Sequence, residues 1–267
     1  MPAYSKLLVA SSKGGVGKST TAVGLAAAFA RSGKKVLLVD LDSASRSLDM
    51  LLNAQDVSVS DFADVYDSDD VSSLYVSPSD ELKSLFLIPA CTADRLKYVS
   101  EEHGTDTKDV IRTGIRKIID NGDFDILICD TGGGVEHACI VADMFDMTLI
   151  ASEQGKTSIR AADYASVQLE AAGAKAMRLV VCAFDLKAVR REGRAGIIEM
   201  IDSSSLACVG VVPLDPKLQG IQDRGMIPPE DSEVSVAYCN ISRRIAGADV
   251  KLFDGIKGLF GRRLKAL

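Results

Sequence analysis

No stretch of this 267-residue chain approaches the roughly 18 consecutive apolar residues that a membrane-spanning helix needs. The start, MPAYSKLLVASSKGG, holds only the short apolar run LLVA. That is too little for a signal-peptide core, so the chain is expected to stay in the cytoplasm. Histidine is scarce, with His103 and His137 alone, and the six cysteines (91, 129, 139, 182, 208, 239) form no C-x-x-C pair. A zinc or iron–sulfur site within one chain is therefore not expected, and the cysteines read as reduced, packed small hydrophobes. Positive charge is not in excess: 31 basic against 37 acidic residues leave a formal charge of -6, which argues against a polybasic nucleic-acid binder. Repeats and low-complexity tracts are absent. What is present is an ordinary globular balance, 47% hydrophobic and 25% charged, in a length that suits one or two domains.

Short apolar runs recur at 7–10, 36–39, 85–88, 126–129, 148–151, 179–183 and 208–212. Their length and β-branched content suit strands buried on both faces of a parallel sheet. Helix-like stretches lie between them, at 20–31, 109–121, 159–172 and 193–201. The alternation predicts an α/β fold, a doubly wound, mostly parallel sheet with ligands at the carboxyl ends of its strands. The segment from Asp56 to Glu81 carries eight acidic residues and no Lys or Arg. It reads as a solvated peripheral helix and loop, or alternatively as a partner surface.

The first strand runs into Ser11-Ser12-Lys13-Gly14-Gly15-Val16-Gly17-Lys18-Ser19-Thr20, followed by a helix pattern. This is the context of a phosphate-binding loop. Glycines let backbone N–H groups close around phosphate oxygens, and the helix N-terminus adds partial positive charge. The candidate nucleotide contacts are Lys13, Gly14, Gly15, Val16, Gly17, Lys18, Ser19 and Thr20, with Lys18 reaching the β- and γ-phosphates and the Ser19 hydroxyl available to Mg²⁺. Ser12 stands where the usual GxxxxGK[ST] pattern has its first glycine, and Lys13 is an additional lysine inside the loop. Two apolar strands then end in acids. One is followed by Asp40-Leu41-Asp42-Ser43-Ala44-Ser45-Arg46-Ser47-Leu48-Asp49, the other by Asp130-Thr131-Gly132-Gly133-Gly134. Both acids fall on the ligand edge of such a sheet, and Asp40 and Asp42 face the same way if strand geometry persists.

The two-lysine loop resembles the deviant P-loop of the MinD/ParA family of ATPases, of the SIMIBI type of P-loop NTPase. The switch pattern DxDxxxRxLD of the family's MinD branch is matched at Asp40, Asp42, Arg46, Leu48 and Asp49. The resemblance implies ATP and Mg²⁺ as cofactors. It assigns Lys13 to the phosphates of a partner subunit across a nucleotide-sandwiched dimer, with Lys13, Lys18 and Asp42 as the catalytic set. Asp42 would orient the attacking water. Ser19, Asp40 and Asp130 would form the metal surroundings. Asp185, Pro213 and Asp215 occupy the places from which relatives hold the adenine. The family's D-x-P-A-G second switch is here Asp130-Thr131-Gly132-Gly133-Gly134, and its Asn-Pro-Glu before a later helix is here Glu153-Gln154-Gly155. The resemblance covers roughly residues 6–230.

The last eighteen residues form a separate unit, giving the division 1–249, ATPase domain, and 250–267, tail. At 100° per residue Leu252, Phe253, Ile256, Leu259, Phe260 and Leu264 share one apolar arc, with Lys251, Arg262 and Lys265 opposite. A basic amphipathic helix with two phenylalanines reads as an interfacial membrane anchor, and it looks like the membrane-targeting helix of the MinD branch. The expectation is therefore an ATP-dependent homodimer, peripheral on the inner face of the cell membrane, that positions the division site or another polar structure. A MinE- or MinC-like activator or effector is the implied protein partner. Alternatives are a DNA-partitioning ATPase of the ParA kind, for which Lys187, Arg190, Arg191 and Arg194 would supply phosphate contacts, and a flagellar or pilus placement ATPase of the same fold. DNA is not the favoured partner.

Overall fold

The computed structural model describes residues 4–56 and 59–257. Seven parallel strands form one sheet: β1 (Lys6–Ala10), β2 (Val36–Asp40), β3 (Leu85–Ile88), β4 (Ile126–Asp130), β5 (Met147–Ser152), β6 (Met177–Phe184) and β7 (Cys208–Pro213). Their order is β3-β2-β4-β1-β5-β6-β7. Every one of the seven apolar runs is a strand, and β2, β4 and β5 are buried along their whole length. Continuous burial is what unbroken Val/Ile/Leu runs require in a sheet covered on both faces.

Winding explains where the helices go. From β1 the chain moves one way to β2 and β3, then doubles back to β4 and continues past β1 to β5, β6 and β7. Right-handed crossovers in opposite directions place the connecting helices on opposite faces. Helix Lys18–Arg31 packs against helix Glu233–Ile245. Helix Lys156–Ala171 packs against Ile197–Ser204 and Val135–Cys139. The direction reverses around β1 and β4, so the crevice for ligands opens at their carboxyl ends. At Gly24 an added Cβ would run into the Tyr238 ring, so the glycine is what lets helices Lys18–Arg31 and Glu233–Ile245 approach.

Two expectations are corrected. The helix read at 193–201 starts at Ile197 instead. Gly193 adopts φ 64 and ends the preceding helix Leu186–Glu192, because glycine enters the left-handed region without a Cβ clash. The tail read as one amphipathic helix from residue 250 forms turns over 252–255 and no helix among its described residues. Phe253 and Ile256 are buried in the domain core, Leu252 packs against it, and Arg244 donates to the carbonyls of Val209, Val250 and Lys251. The apolar arc was sound as a pattern, but its first members, Leu252, Phe253 and Ile256, pack with the domain core. Leu259, Phe260 and Leu264 lie outside the described residues. The acidic stretch is anchored: Arg95 pairs with Asp61 and Asp64, and His103 with Asp67.

Candidate functional site

The loop after β1 turns through two left-handed glycines, Gly15 (φ 77) and Gly17 (φ 91). Gly17 is the N-cap of helix Lys18–Arg31, so the backbone folds back over the helix start in a conformation that other residues reach only under strain. This closes a cavity of about 310 Å³ lined by Lys13, Gly14, Lys18, Ser19, Asp42 and Gly133, among others. A side chain on Gly14 or Gly15 would meet nothing within 4 Å, which leaves their backbone open to a ligand.

Beneath the cavity three ionisable groups, Lys18, Asp40 and Asp130, are packed together out of water. Parallel pairing puts Asp40 beside Asp130, and Val9 of β1 on Asp130's other side. Lys18 Nζ donates to Asp130 Oδ1 at 2.8 Å, with 8% of the lysine side chain and none of the aspartate's exposed. The second oxygen, Asp130 Oδ2, accepts no hydrogen bond among the described residues. Burial pushes the Asp130 carboxyl up from its ordinary range, while the Lys18 ammonium and the Ser19 hydroxyl pull it back. Asp40 is pushed up to about 7, first by burial and then by the neighbouring Asp130 charge. Two like charges on adjacent strands in a dry site disfavour joint ionisation.

Strand geometry does not persist to Asp42. β2 ends at Asp40, whose Oδ1 accepts the Asp42 N–H and whose Oδ2 accepts the Leu48 N–H. Asp40 thus clamps both ends of the 41–48 segment from below. Asp42 turns into the phosphate cavity, where its Oδ1 accepts the N–H groups of Ala44 and Ser45. The motif member Arg46 sits at φ 47, Leu48 is fully buried, and Ser47 Oγ lies 3.1 Å from Ser19 Oγ. In the second switch, a Cβ at Gly132 would strike the His137 ring at 2.5 Å. His137 therefore fills the space that a side chain in the loop would take.

A second cavity of about 380 Å³ continues past Gly15, Gly17 and Thr20. Pro213 and Asp215 line it, together with Val16. Asp185 is not among its lining residues. Its N–H donates to Gln154 Oε1 and its carboxylate caps helix Leu186–Glu192 through Lys187 N–H. The wall includes Cys182, Ala183, Gln222 and Tyr238, none of which the sequence singled out. Cys182 and Ala183 come from a stretch where β6 carries one residue more than β7 between Val181 and Phe184, with Ala183 at φ 49, while Gln222 and Tyr238 come from helices Leu218–Gln222 and Glu233–Ile245. Gln222 Nε2 donates to Thr20 Oγ1 at 2.9 Å, and Tyr238 Oη lies 3.4 Å from Thr21 Oγ1. Lys187, Arg190, Arg191 and Arg194 are exposed on another surface, Arg194 paired with Glu192.

The sequence model of the CobQ/CobB/MinD/ParA nucleotide binding domain matches residues 7–228. The chain is 28% identical to the septum site-determining protein MinD of Helicobacter pylori over 273 residues, covering 94% of this chain and 97% of that protein. A chain of the MinC:MinD cell division protein complex of Aquifex aeolicus superposes with a TM-score of 0.80 at 27% identity, covering 93% of this chain and 98% of that one. The MinD of Pyrococcus horikoshii in complex with Mg-ADP shares the fold, with a TM-score of 0.72 at 17% identity over 90% of this chain and 95% of that one.

Proposed function

The chain belongs to the CobQ/CobB/MinD/ParA family of nucleotide-binding proteins, and on that premise we propose that it is a MinD-like ATPase that acts in placing the division site. It binds Mg-ATP in the paired cavities, dimerises around the triphosphate, and hydrolyses it slowly until a protein partner engages. The observation that carries this reading is the buried Lys18–Asp130 pair at the floor of the loop. A lysine held in a dry site on one carboxylate oxygen is oriented and lies at the end of the loop that would close over phosphate.

The residues present fit both the nucleotide and the ion. Open backbone at Gly14 and Gly15 suits phosphate oxygens, and the unpartnered Asp130 Oδ2 faces a demand for a donor or a cation. Ser19, Asp40 and Asp130 would hold Mg²⁺, which supplies charge neutralisation on the phosphates when bound. Lys18 would contact the β- and γ-phosphates, and Asp42 would accept a hydrogen bond from the attacking water and fix its direction. Lys13 would act from the partner subunit, placing a cation where negative charge develops. The second cavity, with Pro213 and Asp215 on its wall, would take the base. A helper protein of the kind named with the Aquifex relative fits an enzyme whose own switch loops must be ordered before turnover.

Membrane residence is then carried by the chain beyond Ile256, where Leu259, Phe260 and Leu264 alternate with Arg262, Arg263 and Lys265. So short a segment binds lipid weakly alone, and pairing two of them on one dimer raises avidity without any new contact. The test is Asp42→Ala in the full chain. Sedimentation should still give dimers with Mg-ATP while phosphate release stops; normal phosphate release would remove Asp42 from the mechanism.

A further inference from the structure

Lys13 borders the phosphate cavity, yet its ammonium is engaged sideways, on its own subunit. Nζ donates to Ser158 Oγ at 2.8 Å and lies 3.9 Å from Glu153 Oε2. Ser158 is 2% exposed and its N–H is tied to the Gly155 carbonyl, so this acceptor is fixed in the first turn of helix Lys156–Ala171. The preceding loop residue is held by the same helix: Ser12 Oγ donates to the Ala161 carbonyl at 2.5 Å. Glu153 follows the last residue of β5 and also lines the second cavity. The Lys13 and Glu153 side chains are 41% and 40% exposed, so both are free to leave the contact.

We propose that Glu153 is a positioning residue for Lys13: with Ser158 it holds the ammonium in a resting cradle on its own subunit, and it sets how strongly a partner's nucleotide must compete before Lys13 crosses. The inference rests on the trans role of Lys13 stated under Proposed function. One half-exposed carboxylate in water is a weak competitor against a triphosphate and a closer match for a diphosphate, which carries less charge. Opening the cradle costs the dimer the same factor with either nucleotide, so it keeps the weaker ADP-bound dimer below working concentrations, at some expense of dimer affinity. An ion pair of this exposure is worth roughly a factor of two to five, and two such pairs open per dimer, so their effects multiply to roughly four- to twenty-fivefold.

Sedimentation velocity on the full chain with saturating Mg-AMPPNP, and separately with Mg-ADP, tests this for wild type, Glu153→Gln, Glu153→Asp and Ser158→Ala. Binding of a fluorescent mant-nucleotide to the monomer at low protein concentration runs alongside. The expected result is a dimer dissociation constant lowered several-fold in Glu153→Gln and Ser158→Ala, measurable dimer with ADP, near-wild-type behaviour in Glu153→Asp, and, in Ser158→Ala, whose side chain lines neither cavity, unchanged monomer affinity for nucleotide. An unchanged or raised dissociation constant in both Glu153→Gln and Ser158→Ala overturns the cradle while leaving the trans lysine standing. A wild-type chain that stays monomeric with saturating Mg-AMPPNP overturns the trans role and the cradle together.

Discussion

Replacing Lys18 by methionine isolates the charge at the floor of the site, since the new side chain keeps most of the buried stem. Asp130 has no exposed surface and would lose its one ionic partner among the described residues. Removing one member of a buried pair typically costs about 3–5 kcal/mol, because the remaining charge is stranded. Asp130 has one escape, which is to take up a proton. From an ordinary carboxyl value of 3.8, protonation at pH 7 costs about 4 kcal/mol and at pH 5 less than about 2 kcal/mol, at 1.36 kcal/mol per pH unit. The loss on Lys18→Met therefore has a ceiling that falls as the solution is acidified. Urea unfolding of the nucleotide-free chain at pH 7 and pH 5 reads it directly. The variant should be about 3–4 kcal/mol less stable at pH 7 and less than about 2 kcal/mol less stable at pH 5, and Mg-ATP should stabilise wild type alone. Equal stability of the two proteins at pH 7, or a cost that does not shrink at pH 5, would refute the buried-pair reasoning.

Two further outcomes follow from the packing around the site. Asp40 is protonated in the folded chain up to about pH 7, whereas an unfolded aspartate ionises near 3.8. The native state holds more protons across that window, so Asp40 makes nucleotide-free stability fall as pH rises from about 4 to about 7 and adds no slope above it. Asp40→Asn should flatten that part of the stability profile in chemical denaturation, and an identical slope in both proteins would contradict the assignment. Gly24→Ala drives a methyl group into the buried Tyr238 ring and should cost about 1–3 kcal/mol of stability. Mant-nucleotide binding should weaken with it, because Tyr238 also walls the second cavity; a variant as stable as wild type would show that the two helices are not in such close contact.

The parallel sheet was legible because its strands are buried on both faces, so each reads as an unbroken apolar run whatever follows it. The glycine loop and the placing of Asp40, Asp42 and Asp130 beside it were legible for a related reason: both follow from short, local spacing at strand ends. What the sequence concealed was set by tertiary accidents. Cys182 and Ala183 line the second cavity from a stretch of β6 with one extra residue and a left-handed Ala183, which no pattern of residue types announces. The resemblance put Asp185 among the adenine contacts; in the structure its N–H donates to buried Gln154 and its carboxylate caps helix Leu186–Glu192. Gly193, read as the start of a helix at 193–201, instead ends the helix Leu186–Glu192 that the sequence reading did not mark. In the tail, amphipathicity identified an apolar face without identifying what covers it, and Phe253 and Ile256 belong to the domain.

That division of the tail leads to the decisive measurement. Vesicles containing anionic lipid are sedimented with the full chain and with a chain ending at Lys257, each with Mg-ATP or Mg-ADP. The full chain should pellet with Mg-ATP and remain largely in the supernatant with Mg-ADP, while the shortened chain dimerises normally and does not pellet. Pelleting of the shortened chain, or equal pelleting of the full chain with both nucleotides, would contradict an ATP-gated pair of lipid-binding C-terminal segments.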